Sequence, residues 1–519
     1  MTIFSYGTDH LTTGIALAIA GGQTKGELSA ASRQKIKASE TAVQTIVAEG
    51  RSVYGINTGF GILANTPISE EDTRTLQYKI LQSHSVGVGE PVAPDIAKLM
   101  LITKVHALAQ GYSGVQISTL ERLCWHIDNN IIPVVPEKGS VGASGDLAPL
   151  SHLCLPLIGL GEVFQNGQRL PTAEVLQQHQ LEPISLGPKE GLALINGTQF
   201  ILAHAVKALQ RFHNCLEAAD IIGAMSLEAL TGTQAPYDER LHQLRPYEGN
   251  LLVAQRLRRI LHQSVIMQSH VDCGRVQDPY SLRCMPQVHG ASRNAWLHLK
   301  SLTDIELNAV TDNPVIFSAD DSISGGNFHG QPLALPLDYN CFAAAELGNI
   351  SDRRCYLLLE GKWGLPLLLM NNVGLNSGFM IPQYTTAALV TENKTLSFPA
   401  SADSIPTSLG QEDHVSMGSI SGRKLNQVIS NLEYILAIEL MSACQAIEFR
   451  RPLKSSPVLE FAHEHVRKQV GFASEDRIFA NDINRLTGMI SDFSFVHAVT
   501  AFANSHVQPL NENYPQFEL

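Results

Sequence analysis

Positive charge is scarce in this chain of 519 residues. Lys and Arg number 37 against 49 Asp and Glu, the net charge is −12, and no run of five basic residues occurs. That balance argues against nucleic acid or an anionic membrane surface as a partner. Long apolar runs are missing as well. No stretch of about eighteen uninterrupted apolar residues exists, so no transmembrane helix is expected. The start, Met1-Thr2-Ile3-Phe4-Ser5-Tyr6-Gly7-Thr8-Asp9, lacks the basic residues and apolar core of a signal peptide. The eight cysteines are scattered, with no Cys-x-x-Cys pair and no zinc-like spacing to histidine. They read as reduced thiols of a cytoplasmic protein, with no metal site. No internal repeat or low-complexity segment stands out.

What is present is apolar mass and helical period. With 44% hydrophobic residues, the chain has ample material for a large core. Ser29 to Glu49 and Asp95 to Gln110 read as helices. Three longer segments follow, Thr198 to Leu230, Leu337 to Glu360 and Glu412 to Arg450, with apolar residues at spacings of three and four. Glu162-Val163-Phe164 and Gln168-Arg169-Leu170 flank Asn166-Gly167, which spells a short hairpin. Glycine and proline concentrate in the first 200 residues. The expected fold is mainly α: a smaller, loop-rich N-terminal region over 1–197, then a long-helix bundle over 198–519. Apolar stretches such as Phe342-Ala343-Ala344-Ala345 suit burial against other copies, so a homo-oligomer is expected.

The most informative stretch is Gly142-Ala143-Ser144-Gly145-Asp146. Gly-x-Ser-x-Gly fails because Asp146 follows Gly145, which removes a serine nucleophile elbow. No Gly-Lys-Ser/Thr follows, which removes a phosphate-binding loop. A backbone this bare can fold onto itself, so that the Gly145 nitrogen reaches the Ala143 carbonyl carbon. Closing that ring and losing two waters turns Ser144 into an exocyclic methylene on an imidazolone. The result is an electrophile, a reactivity that no standard side chain supplies strongly. An ordinary loop is the bland alternative.

Further segments carry polar residues in distinctive settings. Tyr54 lies in Tyr54-Gly55-Ile56-Asn57-Thr58-Gly59-Phe60-Gly61, whose glycine spacing is not a dinucleotide fingerprint. Asn196 precedes a long helical segment in Leu194-Ile195-Asn196-Gly197-Thr198-Gln199, where an N-terminal cap is the plain reading. Tyr280 and Arg283 are three apart and can share a helical face, with Gln277 just before them. Phe328 stands in Gly326-Asn327-Phe328-His329-Gly330, and Ser83-His84 in Ser83-His84-Ser85-Val86-Gly87. Glu412 belongs to Gln411-Glu412-Asp413-His414-Val415. Its plain reading is an acid at a helix N-terminus.

Taken in order across roughly residues 50 to 420, these motifs resemble the aromatic amino acid ammonia-lyases. The resemblance implies that Ala143, Ser144 and Gly145 form 4-methylideneimidazol-5-one (MIO) autocatalytically, with no metal or nucleotide. It implies a lid bearing a catalytic Tyr54, and Ile62 departs from the basic residue many relatives carry after Phe-Gly. Asn196 would contact substrate or cofactor, with a helix N-terminus aimed at the site. Tyr280 would be the base for the β-proton, and Glu412 could share that role. Arg283 would clamp the substrate carboxylate, beside Gln277, and Phe328 would pack on the prosthetic ring. Ser83 and His84 fit the histidine-specific class, as does Glu412, whose carboxylate can hydrogen-bond an imidazole N–H. The implied reaction converts L-histidine to trans-urocanate and ammonia. The implied assembly is a homotetramer whose sites draw on three chains. A tyrosine or phenylalanine lyase or an aminomutase of the same family is the alternative, and a non-catalytic helical scaffold the remote one.

Overall fold

The computed structural model of the chain describes residues 2–59, 68, 70–271 and 273–519, without the side chains of 70 and 71. Two compact units emerge. The first comprises Met1–Lys207, Leu299–Asp338 and Pro399–Arg423; the second comprises Ala208–His298, Tyr339–Phe398 and Lys424–Leu519. Four of the five passages between them lie inside the helices Gln199–Ala229, Met285–Glu306, Gln331–Leu359 and Gly418–Glu448, and the fifth falls at Phe398–Pro399, outside any helix. A single cut at 197/198 therefore does not describe the units, because 299–338 and 399–423 belong with the N-terminal segment. Those two returns bring Phe328 and Glu412 into the same unit as Ser144.

The first unit holds the small sheets. Thr2–Ser5 pairs in parallel with Thr24–Glu27. Val88–Pro91 pairs antiparallel with Pro136–Lys138, and Val315–Ile316 with Ser322–Ile323. The expected hairpin is formed by Glu162–Gln165 and Gln168–Pro171, and Ile132–Pro133 extends it to three strands. Its Asn166-Gly167 turn has φ of +51° and +77°, the left-handed pair that matches the twist of the strands. Ala30–Ala48 is capped by Ser29, whose side chain accepts from Ser32 N. The next helices, Glu70–His84 and Pro94–Ala109, bear residues that reach the site.

In the second unit the long helices bury charge. Glu217 and Asp220 lie one turn apart on Gln199–Ala229, facing Arg256 and Arg293 at 2.6–2.9 Å. His289 shares Asp220 at 2.8 Å, and Arg354 pairs with Glu439 at 2.6 Å. Along Gln331–Leu359, Ala343, Ala344 and Ala345 are buried within the chain, whereas Leu335, Tyr339, Phe342 and Tyr356 stay exposed. The helix expected from Glu412 begins only at Gly418, since Met417 takes positive φ and breaks the helical path. Among the described residues no single helix is long and apolar enough to cross a membrane.

Candidate active site

The tripeptide is held by backbone conformations that only glycine adopts readily. Gly142 and Gly145 have φ of +68° and +76°. A Cβ on Gly145 would strike the Gly197 carbonyl, and one on Gly142 would strike Ser416 Oγ. Asp146 fastens the segment. Its N–H donates to Gly197 O at 2.7 Å. Its buried carboxylate accepts from Phe200 N at 3.0 Å, Ile201 N at 2.9 Å and Ser140 Oγ at 3.2 Å. Asp146, and not Asn196, thus caps the Gln199–Ala229 helix. It also stands at the N-terminus of Leu147–Cys154. Two helix N-termini therefore flank Ser144, and their partial positive charge draws electrons from that site.

Asn196 turns toward the tripeptide, its Nδ2 donating to Ser144 O at 2.6 Å. Its Oδ1 is buried with no partner among the described residues. Ser144 Oγ donates to Glu412 Oε1 at 3.2 Å. The other oxygen of Glu412 accepts from Thr407 Oγ1 at 3.0 Å and Ser408 Oγ at 2.7 Å. Glu412 lies in a loop bridged to Thr407, so the helix-terminus reading does not apply. These features fit ring closure at 143–145. The residues are small, the ring carbonyl has a ready donor in Asn196, and the same side chain carries an orphaned buried acceptor.

A cavity of about 830 Å³ opens over Ser144. Tyr54, Ser83, His84, Asn196, Phe328 and Glu412 all line it. Tyr54 sits in a turn cinched by Asn57, whose Oδ1 accepts from Val53 N at 2.9 Å and whose Nδ2 donates to Arg51 O at 2.8 Å. Thr58 Oγ1 accepts from Gly55 N at 3.2 Å, which explains the Asn-Thr of that motif. The rest of the expected lid, with Phe60, Gly61 and Ile62, lies outside the described residues. His84 ends Glu70–His84, and its Nδ1 lies 3.0 Å from Ser83 Oγ. Burial holds this imidazole below its usual pKa, with Glu412 pulling the other way.

Gln277, Tyr280 and Arg283 do not line this cavity. They belong to the second unit, where Tyr280–Arg283 forms one helical turn after Pro279. Tyr280 is 71% exposed, and the Arg283 guanidinium stacks over its ring at 4.6 Å. Two cavity residues escaped the sequence reading. His329 and His414 stack with centroids 5.3 Å apart, and His414 Nδ1 lies 3.3 Å from His329 Nε2. Burial and His414 together lower the His329 pKa. Each adjoins a motif residue already singled out, Phe328 or Glu412, and that adjacency was the available signal. Among the described residues no cluster of three His, Cys, Asp or Glu is arranged to hold a metal ion.

The chain is similar to known proteins over most of its length. The model of the aromatic amino acid lyase family matches residues 11–468. A histidine ammonia-lyase from Symbiobacterium thermophilum is 48% identical over 95% of this chain and 98% of its own length. The crystal structure of histidine ammonia-lyase from Trypanosoma cruzi superposes with a TM-score of 0.90 at 40% identity, covering 100% of this chain and 97% of that one. Tyrosine aminomutase from Streptomyces globisporus superposes at 0.92 with 34% identity, covering 96% and 99%. With a match over most of its length and relatives this similar, the chain belongs to the aromatic amino acid lyase family.

Proposed function

We propose that this chain is a histidine ammonia-lyase, a carbon–nitrogen lyase that converts L-histidine to trans-urocanate and ammonia. The observation that carries the reading is the Glu412 carboxylate at Ser144, in the same cavity wall as His84. Relatives named histidine ammonia-lyase support it. The MIO group, formed from Ala143, Ser144 and Gly145, would supply an electrophile that takes up the substrate amine and makes it a better leaving group.

The residues of this chain do the rest. Ring formation removes the Ser144 hydroxyl, and with it the donor now on Glu412 Oε1. That oxygen is then left facing the cavity, ready for an imidazole N–H. A phenyl or phenol ring offers no ring N–H there, and a carboxylate oxygen left without a donor in a closed site is costly. His84, its pKa lowered by burial, presents a second hydrogen-bonding group to the imidazole. The orphaned Oδ1 of Asn196 suits the N–H of a substrate amine. Tyr54 closes the site from its loop, and Phe328 covers one wall. The poorly acidic β-proton needs a base and a fixed carboxylate. Tyr280 and Arg283 take those roles in this reading, with Gln277 beside them, delivered by other chains of a cytoplasmic homotetramer.

Two measurements test it. The 143–145 peptide of the folded protein should weigh two waters less than its sequence. Glu412→Gln should lower kcat/KM for histidine roughly 10- to 100-fold, the equivalent of ~1.5–3 kcal/mol for a hydrogen bond to a charged group. Unchanged turnover of histidine by that variant would sink the substrate assignment. So would preference of the unaltered protein for tyrosine or phenylalanine, and release of a β-amino acid would identify an aminomutase instead.

A further inference from the structure

A buried cation stands behind the tripeptide. Lys104, on the helix Pro94–Ala109, is 1% exposed. Its Nζ donates to Asn196 O at 2.8 Å and Ala193 O at 3.2 Å. Those carbonyls lie at the C-terminal end of Glu190–Ile195, where a helix leaves its last acceptors unsatisfied and a cation is favoured. Asn196 then departs in an extended conformation, with φ −86° and ψ 130°. The side chain anchored by that departure is the one that reaches Ser144 O.

Placing an ammonium here is expensive in stability. An apolar side chain of similar length fills the same volume without desolvating a charge. Burial pulls the Lys104 pKa down to about 8, against the through-space pull of Cys154, Asp312 and Asp146 and with the push of Lys189. Among the described residues Lys104 forms no ion pair. The nearby Asp312 is taken by Lys189 at 2.7 Å and Ser113 at 2.8 Å. The charge is therefore spent on two peptide carbonyls, one of them belonging to the residue that grips the tripeptide.

We infer that Lys104 is a positioning residue that acts through Asn196 on the Ser144 carbonyl, both in forming the electrophile and in turnover. The inference rests on reading 143–145 as the source of that electrophile. Ring closure joins Gly145 N to the Ala143 carbonyl carbon. The Ala143 oxygen leaves as water with the amide hydrogens of Gly145 and Ser144, and Ser144 Oγ–H leaves with the Ser144 α-hydrogen as a second water. The Ser144 carbonyl survives as the ring carbonyl. A donor held on it draws electrons from the adjacent α-carbon, which eases loss of that hydrogen.

A double-mutant cycle on the full-length protein tests this, with Lys104→Met, Asn196→Ala and the combination. The fraction of 143–145 peptide short by two waters is read by mass, and kcat and KM are read separately. Lys104→Met should lower the dehydrated fraction and reduce kcat roughly 10-fold or more with little change in KM. Added to Asn196→Ala, it should cause no further loss. A fully dehydrated Lys104→Met with unaltered kcat overturns the inference, as do losses that multiply in the double variant. If Lys104→Met does not fold, Lys104→Gln enters the same cycle under the same criteria. An undehydrated tripeptide in the unaltered protein overturns the parent reading instead, which separates the two failures.

Discussion

Asp146 shows how much one buried side chain can organise. It accepts hydrogen bonds from two successive N–H groups at the start of Gln199–Ala229 and from Ser140, and it begins Leu147–Cys154. Asp146→Ala strips these acceptors from buried donors, so unfolding in urea should show a loss of about 1–3 kcal/mol. The same variant should carry less dehydrated tripeptide, because the carboxylate that ties this segment to Phe200 N, Ile201 N and Ser140 is gone. An unchanged urea midpoint would contradict this account. The sequence displayed Asp146 inside the signature, yet its partners lie 54 and 55 residues away and no local pattern announces them. Lys104 is similarly silent: on an apolar helix it reads as a side chain with its charge in solvent. The histidines 329 and 414 stand next to recognised residues, but their stacking joins positions 85 apart. Ser144, Asn196, His84 and Glu412, which line one cavity, were singled out because each sits in a motif that resembles the family's, although each also had an ordinary structural reading.

At the scale of elements, period was a better guide than termini. The hairpin at 162–171 and the long helices appear where alternation and the 3.6-residue repeat place them. The start of Gly418–Glu448 was misjudged because Glu412 to Met417 carry suitable residues for a helix while tertiary contacts hold them otherwise. Met417 N donates to Val141 O at 3.0 Å, and Glu412 pairs with Thr407. The strand pair Thr2–Ser5 and Thr24–Glu27 went unseen, since four-residue strands have too few positions to show alternation. Buried charge on the long helices gives a pH prediction. Burial alone would raise the Glu217 pKa, but Arg256 and Arg293 outweigh it and hold the group at about 2. A carboxylate depressed in the folded state stabilises the fold above its unfolded pKa and loses that contribution as pH falls through the folded value. Stability should therefore decline between about pH 4.5 and 2. Urea midpoints taken across that window should fall less steeply for Glu217→Gln than for the unaltered protein. Parallel slopes would show that Glu217 does not carry the linkage.

For the whole molecule, the decisive question is how Tyr280 meets Ser144. Within one chain the cavity over Ser144 is lined without Gln277, Tyr280 or Arg283, and Tyr280 is largely exposed on its own turn. Exposed Leu335, Tyr339 and Phe342 recur at spacings of four and three on Gln331–Leu359, an apolar stripe suited to another copy. If the working site takes Ser144 from one chain and Tyr280 from another, two inactive variants can rescue each other. In the proposed reaction Ser144→Ala would lack the electrophile, and Tyr280→Phe would lack the base. Co-expressed at equal levels, they assemble mixed oligomers in which about one quarter of the sites receive an intact residue from both sources. Histidine turnover should recover to about that fraction, while each variant alone stays inactive. Sites built within one chain would each keep one defect, and mixing would restore nothing. Mixing after separate assembly should also restore nothing as long as subunits do not exchange, so co-expression against late mixing separates shared sites from contamination by active enzyme.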